Sequence, residues 1–220
     1  EVIHCNDWQT ALVPIYLKDE CVRWPGVRGT KSVFTIHNIE YQGRYGKETL
    51  EDLFGLAPGW FADGTIAMDG DVNLLKGALM TCDAITAVSP TYANELRYAF
   101  FAHGMESVIQ RNAGKVYGVL NGINMERYDP SKGEGIKYKF SAKSMAGKAK
   151  NKAYLQEQMS LEPDANVPII GIVSRLVSHK GLDLIEKVFD QIMDLHCQLV
   201  VLGSGDWNYE QFFEQKRGQY

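Results

Sequence analysis

The stretch Val167–Ile192, VPIIGIVSRLVSHKGLDLIEKVFDQI, decides the fold class. Its apolar run Ile169–Val173 stops at Ser174-Arg175, and Lys180-Gly181 stand just ahead of an amphipathic helical pattern. A buried strand that hands over to a helix in this way is the repeating step of an α/β sheet. In open sheets of that kind, ligands bind in the crevice outside the carboxyl ends of the strands. The N–H groups and the dipole of a helix N-terminus favour an anion there. Arg175 and Lys180 add two cations, so the loop suits a diphosphate. The same residues also fit a solvated basic loop with no ligand, and the rest of the chain bears on that choice.

Outward from this stretch, apolar runs and helical patterns alternate nearly end to end, which predicts βαβ units and a mostly parallel sheet. Val2–His4 reads as a strand end, followed by Trp8, Leu12, Ile15 and Tyr16 at helical spacing. Ser32–Ile36 is a second strand, rich in β-branched and aromatic residues. Val72–Met80 is predicted helical, and Ala84–Val88 is a third strand closed by Ser89-Pro90, a capping residue ahead of a first-turn proline. A helix over Thr91–Phe101 and a fourth strand over Lys115–Leu120 follow. From Asn121 to Asn166 the chain is turn-rich and, between Lys132 and Lys152, lysine-rich, which we read as a solvated helix and loop. The strand Gln198–Leu202 then leads into Gly203-Ser204-Gly205-Asp206. A boundary near Gly118–Ile123 divides the chain into predicted domains 1–120 and 121–220.

Of the 220 residues 45% are apolar and 23% charged, values of a globular chain with a buried core. A net charge of −4 argues against a general nucleic-acid binder, so any anion site must be a local concentration of charge. No apolar run approaches the ~18 residues of a membrane span. The opening EVIHCNDW is neither a signal nor a transit peptide. Cys5, Cys21, Cys82 and Cys197 show no C-x-x-C spacing and read as buried hydrophobes in a reducing compartment. The five histidines lack metal-ligand spacing, and no metal is predicted. Because the chain opens on a strand end and each half has few strands, we expect a piece of a longer protein, with uncovered apolar faces.

Several residues carry candidate chemistry. Asp7 suits a cap for the next helix, a carboxylate for sugar hydroxyls, or both. His37 closes the second strand at the end where ligands bind, with Tyr41 and Gln42 close behind. Asn121-Gly122 and the Gly203–Asp206 run are strong turn signals. The latter is not G-x-G-x-x-G, because Asn208 takes the last glycine's place, and no P-loop or G-x-S-x-G elbow occurs.

Six motifs in order then carry a resemblance: HCNDWQT (4–10), TIHNIEYQGR (35–44), ITAVSPTYANE (85–95), GVLNGI (118–123), SRLVSHKGLDL (174–184) and VLGSGD (201–206). Together they resemble the bacterial glycogen synthases and plant starch synthases, which extend α-1,4-glucans from ADP-glucose. The resemblance implies an α/β fold of the GT-B type, two Rossmann-like lobes facing across a cleft. Residues 1–120 would be the C-terminal part of the acceptor-side lobe and 121–220 the N-terminal part of the nucleotide-sugar lobe. It implies that Arg175 and Lys180 neutralise the leaving diphosphate. It also implies that His37 lies beside the transferred glucose, that Asp7 is an active-site aspartate and that Asn121 is near the donor sugar. Tyr41, Gln42 and Gly122 join these as substrate-binding candidates. No cofactor is implied beyond the substrate ADP-glucose. The partners would be ADP-glucose and glycogen or starch, with no nucleic acid or membrane, in a bacterial cytoplasm or a plastid stroma. The family's K-x-G-G-L and E-x-F-E-P-C-G-L segments are absent from these residues, so this chain alone is expected to be inactive. The alternatives are a non-catalytic glucan-binding module and another GT-B transferase such as a sucrose synthase.

Overall fold

The computed structural model describes residues 1–19, 25–27 and 29–220, in two compact units, Glu1–Gly122 and Ile123–Tyr220. Cys21 lies outside the described residues.

The first unit is built on a fully parallel four-stranded sheet with the order β1 (Val2–Asn6), β2 (Lys31–Ile36), β6 (Ala84–Ala87), β7 (Val116–Gly118). Along β2 and β6 the alternate residues Phe34, Ile36, Ile85 and Ala87 are fully buried, as the period of two in a pleated strand demands. They share one core with Ile15 of α1 (Leu12–Asp19), Leu75 and Leu79 of α4 (Leu74–Thr81), and Ile109 of α7 (Glu106–Arg111). The short helices α2 (Thr49–Asp52) and α3 (Gly59–Ala62) add Leu50 to that core and pack Trp60 and Phe61 against it. Cys5 and Cys82 lie in the same core as free thiols. Burial pushes the Cys82 thiol up to about 11 and raises that of Cys5, so both stay protonated and inert at neutral pH.

Two elements depart from the sequence reading. The residues Val72–Met80 are not one helix. Val72 belongs to β5 (Asp71–Asn73), which pairs antiparallel with β3 (Arg44–Tyr45) and β4 (Ala67–Met68). Asp69 and Gly70, with φ of 54° and 90°, make the two-residue turn between β4 and β5. Asn73 then caps α4 by accepting from the Lys76 N–H at 2.9 Å. The helix placed over Thr91–Phe101 also breaks, into α5 (Pro90–Glu95) and α6 (Ala99–Ala102), with Tyr98 extended between them. The Arg97 carbonyl, freed from the helical ladder, accepts from Gln110 Nε2 at 2.7 Å, so a tertiary partner compensates the break. Ser89 caps α5 with Pro90 in its first turn, as the sequence predicts.

At the amino-terminal edge of the sheet, Asp83 ties β2 to β6. Its carboxylate accepts from Lys31 Nζ and from the Ser32 N–H, both at 2.9 Å. Burial pushes the Asp83 carboxyl up, but the Lys31 and Ser32 hydrogen bonds and the Lys18 charge together outweigh it and hold it below the ordinary carboxylate range. A carboxyl lowered on folding stabilises the fold above its unfolded value of about 3.9, and that stabilisation is lost as pH falls through the folded value. Asp83→Asn should therefore cost roughly 1 kcal/mol at neutral pH and make the thermal midpoint less dependent on pH in the acid range. An unchanged midpoint-against-pH curve would count against the tie.

The second unit pairs β8 (Ile169–Val173) in parallel with β9 (Gln198–Leu202). Leu176, Leu182 and Phe189 are its buried apolar anchors, and Phe189 of α9 (Leu182–Met193) packs edge-on against Phe212 of α10 (Trp207–Gln219) at 5.3 Å. The polar helix α8 (Ala146–Gln158) is held by the buried Gln156, whose amide donates to Gln198 Oε1 at 2.8 Å and to the Asp164 carbonyl at 3.0 Å. The lysines of this region serve local structure. Lys137 lies 3.7 Å over the Tyr154 ring, Lys152 donates to the Ala165 carbonyl, and Lys139 donates to the Lys132 and Gly133 carbonyls. Val173, Leu184 and Leu202 are exposed. No helix among the described residues is long and apolar enough to cross a membrane.

Candidate active site

In the first unit the carboxyl ends of β1, β2 and β6 are laced together by side chains. Asp7 follows β1 with φ 56° and ψ 177°, a conformation that costs a non-glycine residue roughly 1–3 kcal/mol. Its sequence-based reading as a helix cap does not hold. The next element is the 3-10 turn Trp8–Thr10, and the Asp7 side chain makes no cap bond to it. Its Oδ1 instead accepts from the backbone N–H of His37 at 2.8 Å, across to the end of β2. The His37 donor won over the helix N–H groups because β1 and β2 are adjacent and parallel, which brings that N–H to the carboxylate. Thr10 holds the strained turn, its hydroxyl donating to the Asn6 and Asp7 carbonyls and accepting from the Asn6 N–H.

His37 is exposed, and its Nε2 lies 2.9 Å from Asn6 Oδ1. Two residues on, the Ile39 N–H donates to the Tyr92 hydroxyl of α5 at 3.0 Å. Burial pushes the Tyr92 phenol up and the nearby Asp7 charge adds to that, so it remains neutral.

Beside this group is a cleft of about 500 Å³ lined by Trp8, Glu40, Tyr41, Gln42, Gly43, Arg44 and His103. Tyr41 and Gln42 therefore meet at one cleft, in different roles. Tyr41 is partly exposed, whereas Gln42 is 7% exposed and its amide is used within the protein. It donates to the His103 carbonyl at 2.9 Å and accepts from Asn73 Nδ2 at 2.7 Å. Gly43, with φ 62°, lies flat on Trp8, where a Cβ would come within 2.6 Å of the indole Cε3. Arg44 is set by Asp69 at 2.7 Å. Sequence reasoning gave Asn6, Trp8 and Arg44 no functional role, although all three stand inside the motifs HCNDWQT and TIHNIEYQGR. His103 carried no signal, since only the fold brings it to Gln42.

In the second unit Arg175 and Lys180 share the connection from β8 to α9, both exposed. Lys180 ends the 3-10 turn Ser178–Lys180, and Gly181, with φ 72°, turns the chain into α9 without a side-chain cap. The Arg175 segment is fastened to the one after β9. The Leu176 N–H donates to the Ser204 carbonyl at 2.9 Å, the Asp206 N–H to the Leu176 carbonyl at 2.8 Å, and the Ser174 N–H to the Leu202 carbonyl at 3.1 Å. The approach is so close that a Cβ at Gly203 or Gly205 would fall on the Ser174 or Leu176 carbonyl oxygen. Asn121 and Gly122 lie beyond β7 as exposed, irregular chain. Among the described residues no group of three or more His, Cys, Asp or Glu converges as a metal site.

Residues 1–111 match the family model described as the starch synthase catalytic domain. The chain belongs to this family. Over all 220 residues it is 42% identical to the glycogen synthase of Alkaliphilus metalliredigens and 39% identical to that of Streptococcus agalactiae. In each case it covers 46% of the relative, so it spans about half the length of those proteins. Among solved structures it superposes on the catalytic domain of starch synthase IV from Arabidopsis thaliana, bound to ADP and acarbose. The TM-score is 0.90 at 33% identity, over 100% of this chain and 45% of that one. This starch synthase family chain is thus α/β of the GT-B type, each unit carrying its own parallel sheet.

Proposed function

We propose that this chain is part of a retaining glucosyltransferase that adds glucose from ADP-glucose to the non-reducing end of an α-1,4-glucan. The observation that carries the reading is the β8–α9 connection, where Arg175 follows the strand and Lys180 precedes a helix with no side-chain cap, both exposed. Transfer breaks the bond between the anomeric carbon and the diphosphate oxygen. The electron pair leaves with the ADP while positive charge grows on the sugar. The acceptor's 4-hydroxyl oxygen forms the new bond and gives up its proton to the departing diphosphate. Cations aimed at the diphosphate then stabilise the transition state more than the ground state. Arg175 suits phosphate oxygens with its two-pronged fork, and Lys180 acts as a compact charge.

In the first unit, Asp7, His37 and Tyr41 face sugar hydroxyls, while Gln42 supports the cleft from behind. Asn121, with Gly122, stands near the donor glucose. The two cations neutralise the leaving group, so the proposal includes no cofactor. The partners are ADP-glucose and glycogen or starch, without nucleic acid or membrane, in a bacterial cytoplasm or plastid stroma.

The test is incorporation of labelled glucose into glycogen by a full-length family member that carries this segment, with ADP-glucose and UDP-glucose in competition. Transfer from ADP-glucose is expected. Glycogen binding without transfer from either donor would make it a glucan-binding module, and preference for UDP-glucose would point to another transferase class. The 220-residue chain by itself, at 46% of its relatives' length, should incorporate less than about a tenth as much, because donor positioning is incomplete.

A further inference from the structure

The end of β1 grips His37 at two points. Asp7 Oδ1 holds its backbone N–H at 2.8 Å, and Asn6 Oδ1 meets its ring Nε2 at 2.9 Å. An amide oxygen can only accept, so with Asn6 Oδ1 facing the ring the donor is Nε2. Nδ1 is left as an acceptor. Asn6 is anchored through its backbone. Its backbone N–H and carbonyl are each satisfied by the Thr10 hydroxyl, at 2.7 and 2.9 Å, and the residue is exposed. The parallel register that sets Asn6 beside Thr35 brings the last residue of β1 level with the exit of β2.

We propose that Asn6 is a positioning residue for His37, fixing the orientation and tautomer of the ring so that Nδ1 accepts a hydrogen bond from a hydroxyl of the sugar substrate. The inference rests on the function proposed above and deepens it. The Thr10 bonds go to the Asn6 backbone, so changing the side chain leaves them in place.

The experiment is a mutant cycle on labelled-glucose transfer from ADP-glucose to glycogen, in the full-length family member that carries this segment. Asn6→Leu keeps the size of the side chain but cannot accept, and should lower kcat/KM about tenfold to a hundredfold, the cost of a misplaced group. Asn6→Asp retains an acceptor oxygen at the same reach and should be at least about fivefold more active than Asn6→Leu, the worth of one hydrogen bond. With His37→Ala already present, Asn6→Leu should cost no more than about twofold, because the group it orients is gone. Thermal midpoints of the variants, with Asn6→Ala as a smaller second truncation, separate these effects from unfolding.

If His37→Ala loses no activity, the role proposed for His37 falls and this inference with it. If His37→Ala is impaired, three results each overturn the inference while the function stands. They are near-normal activity of Asn6→Leu, an Asp variant no better than the Leu variant, and a Leu loss that persists in full without His37.

Discussion

Arg175→Ala and Lys180→Ala, each introduced into a full-length family member that carries this segment, should lower kcat/KM for transfer from ADP-glucose by about two to three orders of magnitude. That is the scale for loss of one preorganised electrostatic donor aimed at developing charge. Both side chains are exposed beyond β8, so neither substitution opens a cavity, and the thermal midpoint should hardly move. The loss should fall on kcat as well as on KM, since the diphosphate carries more charge in the transition state than in the bound donor. Arg175→Lys should recover only part of it. An ammonium restores the charge but not the planar fork that engages two phosphate oxygens at once. Initial rates at varied ADP-glucose check all three variants, and near-normal rates for either alanine substitution would remove that residue from the proposed role.

Gly203→Ala and Gly205→Ala should each destabilise the second unit by about 1–3 kcal/mol or more. Each added Cβ would meet backbone oxygen, Ser174 for Gly203 and Leu176 for Gly205, and backbone cannot rotate aside as a side chain can. To make room, the segment after β9 must part from the one after β8. The Leu176–Ser204 and Asp206–Leu176 hydrogen bonds, at 2.9 and 2.8 Å, would then stretch or break. Arg175 sits between the two residues that clash, so the displacement moves its guanidinium. Activity should therefore fall nearly as far as in Arg175→Ala, although the charge is still present. Gly171→Ala is the control. It lies in β8 with nothing within 4 Å of its would-be Cβ, and it should leave both midpoint and rate close to the parent's. Equal behaviour of the three alanine variants, read by thermal melting and by transfer rate, would refute the fastening of one segment to the other.

The Gly203–Asp206 run shows how differently sequence and structure speak about one element. In the sequence it is a turn signal, and the most that pattern matching can say is that it lacks the third glycine of a dinucleotide fingerprint. Its purpose depends on Ser174 and Leu176, about thirty residues earlier, and no local pattern encodes that approach. Gln42 is similar. Its position behind His37 suggested a ligand, but its amide is taken by His103 and Asn73, both remote in the chain. The Asp69-Gly70 dipeptide is a short-range turn signal of the hairpin type. The helical spacing of the residues after it masked it.

By itself the sequence determined what depends on neighbours along the chain. It marked the parallel strands through their β-branched apolar runs, the Ser89-Pro90 helix start, and the placement of Asp7, His37 and Arg175 just past strand carboxyl ends, with Lys180 in the turn beyond. These follow from periodicity, capping chemistry and steric preference, which act over a few residues. Tertiary structure alone decided which partner each polar group found. Asp7 gave up a helix cap for the His37 N–H because β1 and β2 lie side by side, and the Thr91–Phe101 helix broke where Gln110 could take the Arg97 carbonyl. A buried or strained polar group goes to whichever partner the packed chain brings within about 3 Å, and that partner can lie anywhere in the sequence.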